Sequence, residues 1–317
     1  MSAEARKNVG AVAAARRSRH SGLHRREAVE GWLYASPWLI GFAVFTFLPM
    51  VASIVISLTH WNLLTPPAWA GLSNYRRMLF EDPLVWTALG VTTKFALISV
   101  PLNLVVSLLL ATLLSTPVRG INVWRAVYYL PTVIPGVAVA LVWQWLFNTD
   151  FGAINEVLYS LFHIQGPSWL LDTRWVLPSF VFMSLWHVGQ ATVINLAGLR
   201  GIPRSYYEAA EIDGAGRFAS FRHITVPMLS PILFFNLVMG IIGALQTFTS
   251  ALVMTGGGPE NSSMFFMLYL YSNAFQWFKM GYASALAWLL FLYILGLTLL
   301  VLRSSKAWVY YEGSVHK

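Results

Sequence analysis

The sequence predicts an all-α integral membrane protein with six transmembrane helices, both termini in the cytoplasm and one short cytoplasmic helix between two spans. Three observations lead there. The chain is 57% hydrophobic and only 11% charged, a balance that a soluble domain of 317 residues does not show. Its apolar residues gather in six runs of membrane-crossing length. Its basic residues alternate from loop to loop, most of them on one side.

Residues 1–30 come first and are rich in Ala, Ser and Arg, with few large apolar groups. Such a segment cannot bury enough surface to order itself, so a disordered basic tail is expected. A cleaved leader is not expected, because the following apolar run is too long and lacks a small-residue cleavage site. Arg19 and His20 stand where a twin-arginine leader would be apolar. Attraction to anionic lipid heads accounts for these charges. A net charge of +8 is therefore not read as a nucleic-acid surface.

The spans are expected at 36–58, 86–114, 127–147, 175–199, 228–254 and 283–302, within a membrane domain of 31–303. Each reaches the roughly 20 residues a helix needs to cross the hydrocarbon core. Lys94 is the only charge inside them, near the outer end of the second span, where it can snorkel. A seventh run, 264–275, is too short to cross and is interrupted by Ser272 and Asn273, so an interfacial helix outside the membrane is expected. Residues 304–317 form a cytoplasmic tail.

Orientation follows from the basic residues. One side carries Arg6, Lys7, Arg16, Arg17, Arg19, Arg25 and Arg26, then Arg119, Arg125, Arg200, Arg204, Arg217 and Arg222, then Arg303, Lys306 and Lys317. The other carries only Arg76, Arg77, Arg174 and Lys279. The positive-inside rule places the first set in the cytoplasm.

That side includes a polar island at 200–226 between two apolar runs. Ser205 three residues before Glu208 has the spacing of a capping box. Pro203 discourages an earlier start. Gly214 suits a left-handed stop after Glu208, Ala209, Ala210 and Glu211. The island therefore predicts a short helix lying along the loop, and nothing in the spacing alone gives it a task.

The same residues resemble a family. Glu208-Ala209-Ala210, three residues, Gly214, nine residues, then Ile224-Thr225-Val226-Pro227 is similar to the cytoplasmic loop of permease subunits in ATP-binding-cassette importers. Val226 stands where Leu is usual. The resemblance implies a coupling loop at 200–227, in which Glu208, Ala209, Ala210, Asp213, Gly214, Ile224 and Pro227 shape a helix that docks on an ATPase subunit.

Other stretches resemble the carbohydrate branch of that family. Gly71 to Tyr75 matches G-x-x-N-Y, and Trp145 to Asn148 with Gly152, Ile154 and Asn155 matches the pattern after the third span. Thr255 to Pro259 matches T-x-G-G-P, and Gly281 to Ala285 matches G-Y-A-S-A. The resemblance implies import of a sugar or oligosaccharide across the bacterial inner membrane. It further implies a second homologous permease, two ATPase subunits and an extracytoplasmic solute-binding protein as partners. Glycerol phosphate or another small polar solute is the alternative cargo.

The residues themselves say less about the cargo. Polar side chains in spans face other helices or an aqueous cavity. Neutral amides donate and accept at once, which suits uncharged hydroxyl-rich ligands. Asn103, Gln144, His187, Gln190, Asn195, Asn236 and Gln246 are such polar side chains, and Trp143, Trp186 and Phe248 offer apolar faces. Of these, Gln190, Asn195, Asn236 and Gln246, with Trp186, are the pathway candidates, and amides at such places also serve to join helices. No Asp or Glu lies in any span, so an ion-coupled carrier with His187 as proton relay is disfavoured. The chain has no Cys and neither a G-x-S-x-G nor an H-E-x-x-H motif, so no enzyme is expected. Gly256, Gly257 and Gly258 are not followed by G-K-[ST], so no nucleotide or metal is expected on this chain. ATP and Mg would belong to the partner ATPases.

Overall fold

A computed structural model describes Glu27 and residues 29–116 and 119–310. Of the expected tails, 1–30 and 304–317, residues 1–26, 28 and 311–317 lie outside them, and the start of the second continues the last helix to Trp308. The first helix, α1 (Val29–Ser57), is uncharged from Gly31 onward. It widens into a π turn at Ala43–Phe47 just before Pro49, whose ring would crowd the carbonyl of a regular preceding turn. It begins at Val29, so the end of the expected 1–30 tail is helical.

From Ser57 onward the chain is a second compact unit. A two-stranded antiparallel hairpin comes first, β1 (Thr59–His60) and β2 (Ala68–Trp69), with Thr59 opposite Trp69 and His60 opposite Ala68. A turn at Ser73–Arg76 leads to α2 (Pro83–Ser115). The start of α2 is fixed twice: Pro83 supplies the preset first-turn φ, and the Asp82 carboxylate accepts from the Leu84 N–H at 3.1 Å. Pro101 lies inside α2 without ending it.

Next come α3 (Ile121–Tyr129), a 3₁₀ turn at Leu130–Val133 and α4 (Gly136–Leu146). The sequence predicts one span here, but the two limbs meet at 100°. Pro131 and Pro135 cause this, since Pro135 holds Ile134 extended (ψ 132°) and neither proline donates to a preceding carbonyl. After α5 (Ala153–Phe162), the fourth expected span also divides, into α6 (Val176–Leu185) and α7 (Gly189–Gly201), with a 42° bend between them.

The polar island forms α8 (Arg204–Ile212). Span α9 (Arg217–Met254) contains a π turn at Phe221–Thr225 and a break at 246–248. Then follow α10 (Phe266–Tyr271) and α11 (Met280–Trp308).

Helix α10, in the run expected to be too short to cross, is packed into the protein: Phe266, Leu268 and Tyr269 are buried, and so are Ser272, Asn273 and Ala274 after it. The Phe266 N–H donates to the Thr92 hydroxyl inside α2 at 2.8 Å, which satisfies a helix-start donor away from water. Phe265 packs edge-on against Phe95 and Phe180, with centroids 5.2 and 5.3 Å apart, joining α2, α6 and the start of α10 in one core. A second core surrounds Met78, Val85, Phe266, Tyr269, Tyr282 and Leu286.

Candidate functional site

Two features stand apart from the packing: a cavity among the broken helices and the exposed helix α8. The cavity, about 650 Å³, lies between α2, α4, α6, α7 and α9. Volumes of several hundred Å³ are typical of sites for small molecules. Its polar lining is Ser99, Asn103, Ser184, His187, Gln190 and Asn236, with hydroxyls of 247–250 at the break in α9. Phe95, Met183, Phe235 and Phe248 give it apolar faces. Among the described residues no Asp, Glu, Lys or Arg lines it.

The broken helices create this lining. His187 and Val188 sit between α6 and α7, and Thr247 and Phe248 between the two parts of α9. Breaks leave backbone groups outside the regular ladder, which a span tolerates only where protein or a water-filled cavity receives them. Asn103 is presented from α2. Its amide donates to the Ser184 hydroxyl at 3.2 Å, and its buried Oδ1 has no partner.

The five pathway candidates separate in the structure. Gln190 and Asn236 line the cavity. Asn195 does not: it is fully buried, donating to Ser107 at 3.1 Å and accepting from Asn236 at 2.9 Å. This clasp joins α2, α7 and α9. Gln246 is exposed beside the lining residue Thr247, and Trp186 packs edge-on against Trp143 at 5.9 Å, outside the lining. Of the other polar side chains that the sequence offers, Asn103 and His187 line the cavity and Gln144 does not, while the lining residues Ser184 and Thr247 are not among them. Ser184 and Thr247 also bond carbonyls three residues back, as hydroxyls in spans commonly do, so their type gives no signal.

Helix α8 buries none of its residues. The expected capping box is absent: Pro203 takes the N-cap position, so Ser205 already lies within the first turn and makes no cap bond. The stop is as expected. Gly214 is left-handed at φ +79°, Ala215 N–H donates to the Ala210 carbonyl at 2.8 Å, and Gly214 N–H to that of Glu211 at 3.0 Å. That pair of bonds is a Schellman motif. Glu208, Ala209 and Asp213 are exposed, Ala210 partly so. The Tyr207 and Thr225 hydroxyls meet at 2.9 Å, tying α8 to the π turn that holds Ile224 and leads to Pro227. Ile212 and Phe218 are 87% and 77% exposed, an apolar face in an otherwise polar loop.

Residues 103–307 match the model of the family described as binding-protein-dependent transport system inner membrane component. The probable ABC transporter permease protein YesP of Bacillus subtilis is 41% identical, over 91% of this chain and 94% of its own length. The lactose transport system permease protein LacF of Rhizobium radiobacter is 33% identical over 90% and 97%. The trehalose/maltose transport system permease protein MalF of Thermococcus litoralis is likewise 33% identical over 90% and 97%. Among solved structures, a bacterial ABC transporter involved in import of the acidic polysaccharide alginate has a similar fold: TM-score 0.77, 22% identity, covering 90% of this chain and 98% of that one.

Proposed function

The chain belongs to the binding-protein-dependent transport system inner membrane components, and on that premise we propose that it is one of two permeases in an ATP-driven importer of neutral sugars or oligosaccharides. The observation that carries the choice of cargo is the uncharged cavity. Amides, hydroxyls and aromatic faces suit a sugar, whose hydroxyls donate and accept and whose ring faces are apolar. A glycerol phosphate would meet no cation in that lining.

In this reading the termini and α8 face the cytoplasm, as the distribution of basic residues argues. A binding protein delivers sugar on the opposite face; the alginate relative has been solved with such a periplasmic protein bound to alginate pentasaccharide. A second permease supplies the other half of the passage. Two ATPase subunits, which hold the ATP and Mg, each receive one loop helix. In this chain that helix is α8, ending at Gly214 and pinned to α9 through Tyr207 and Thr225. Closure of the ATPase pair moves α8, and α9 carries the motion to Asn236 and the break at 246–248.

The test is uptake by the full importer in proteoliposomes, with radiolabelled neutral disaccharides beside glycerol 3-phosphate and galacturonate. ATP-dependent uptake of a neutral sugar is expected. Uptake restricted to the charged compounds would contradict the assigned cargo.

A further inference from the structure

The end of the bundle away from α8 carries a second cavity, about 320 Å³. Helix α2 fixes the two ends. Leu114, near its last residue, shares a small pocket with Arg200, which leads into α8, whereas Asp82 caps its start roughly 50 Å away. The second cavity lies at that start, bounded by the β1–β2 hairpin, the Ser73–Arg76 turn and the first residues of α11.

Its charged lining consists of Arg77 and Lys279, with His60 beside them and no Asp or Glu among the described residues. The Arg77 guanidinium stands 4.9 Å over the Tyr282 ring, and the Lys279 ammonium 5.3 Å over that of Trp277. Neither has a carboxylate partner among the described residues. Two of the four basic residues that the sequence places on this side thus line one pocket without an ion-pair contact, the nearby Asp82 carboxylate being taken up by Tyr269, Tyr282 and the Leu84 N–H.

The walls are held in place. Buried Asn74 donates to the carbonyls of Ser57 and Thr59 at 2.8 and 2.9 Å. Tyr282 is anchored on Asp82 at 2.6 Å. Gly281 lies so close to the hairpin that a Cβ would come within 1.9 Å of the Thr59 carbonyl. A rigid pocket with a guanidinium and an ammonium is organised in advance for one carboxylate.

We propose that this pocket receives an Asp or Glu side chain of the extracytoplasmic binding protein as it docks. The inference rests on the importer reading and orientation given above. The pocket shares no lining residue with the larger cavity, so it is separate from the passage. Its size suits a side chain better than an oligosaccharide. Opposite charges across such a contact set orientation and speed encounter.

The test uses the assembled importer in nanodiscs and its cognate binding protein, with association followed by interferometry at low and physiological salt. Arg77→Gln with Lys279→Gln is expected to weaken binding by about tenfold or more, with flatter salt dependence. Arg77→Lys with Lys279→Arg keeps most of the affinity. Lys279→Glu alone, at an exposed position, weakens binding in the same direction and covers the case in which the double variant does not assemble. Unchanged binding by Lys279→Glu, or by an assembled double variant, overturns the inference and leaves the importer reading intact. A wild-type complex that neither binds the protein nor transports would overturn that reading instead. Free galacturonate binding to the wild type but not to Lys279→Glu would assign the pocket to a substrate carboxylate and also overturn the proposal.

Discussion

The side-chain amide of Asn236 donates to Oδ1 of Asn195 at 2.9 Å, so one amide on the cavity wall is held by another that the cavity never reaches. Asn195 passes the connection to Ser107 on α2. Replacing Asn195 strands the Asn236 donor among helices, at a cost of about 1–2 kcal/mol by the scale of such bonds in membrane proteins. Asn195→Leu should therefore lower the melting temperature of the purified complex while KM for sugar stays near the wild-type value. An unchanged melting temperature would contradict the clasp.

Gln190 should behave in the opposite way, because it is exposed in the cavity. It offers a sugar hydroxyl a bond of about 0.5–1.5 kcal/mol. Gln190→Ala should raise KM several-fold, read from uptake curves, with little change in melting temperature.

Asp82 gathers three bonds: the Leu84 N–H, the Tyr269 hydroxyl at 2.5 Å and the Tyr282 hydroxyl at 2.6 Å. Asp82→Ala should destabilise the complex by more than the roughly 1.5–3 kcal/mol of a single hydrogen bond to a charged group, and Tyr269→Phe by about that single amount. Thermal melts of both variants check the order.

Burial, with the Asp82 carboxylate, pushes Tyr269 from 10.0 up to about 12. The folded chain holds this proton more tightly than the unfolded one, so the stabilising contribution is complete below pH 10 and is lost as pH rises through about 12. A phenolate absorbance titration should show Tyr269 ionising late, and Tyr269→Phe should remove that step.

Gly214 and Gly216 make a paired test of the loop. Gly214 is left-handed at φ +79°, whereas Gly216 is extended at φ −73°, and a Cβ at either would meet nothing within 4 Å. Only the backbone separates them. Gly214→Val should cost about 1–2 kcal/mol of local helix termination and uncouple ATP hydrolysis from uptake, while Gly216→Ala transports normally. Coupled transport by Gly214→Val would remove the helix stop from the mechanism.

Composition made the spans legible, because hydrophobic length alone requires them: among the described residues four helices are long and apolar enough to cross, and six if each bent pair counts as one span. The bends were not. Pro101 and Pro231 lie within α2 and α9, so proline by itself does not mark a break; the pair Pro131 and Pro135, four residues apart, does. Ser205 and Glu208 had capping-box spacing, but the helix starts after Pro203, two residues too early for it. The run 264–275 was too short to span, and nothing in sequence showed that Thr92, far back in the chain, would receive its first N–H. Several family-like motifs gain physical reasons from the structure. Asn74 clamps the hairpin, Asn155 accepts from the Trp169 indole at 2.6 Å, and Tyr282 locks onto Asp82. Asn195 and Asn236 show why the amides could not be sorted by type: the same side chain serves as clasp or as lining, according to which way its helix turns.

The most direct test of the account is to purify this chain in mild detergent and identify its companions by mass spectrometry. The account predicts an ATPase subunit and a second permease, with the ATPase lost when Glu208 and Gly214 are both replaced. Recovery of the chain alone, stable and moving sugar across liposomes without ATP, would contradict it.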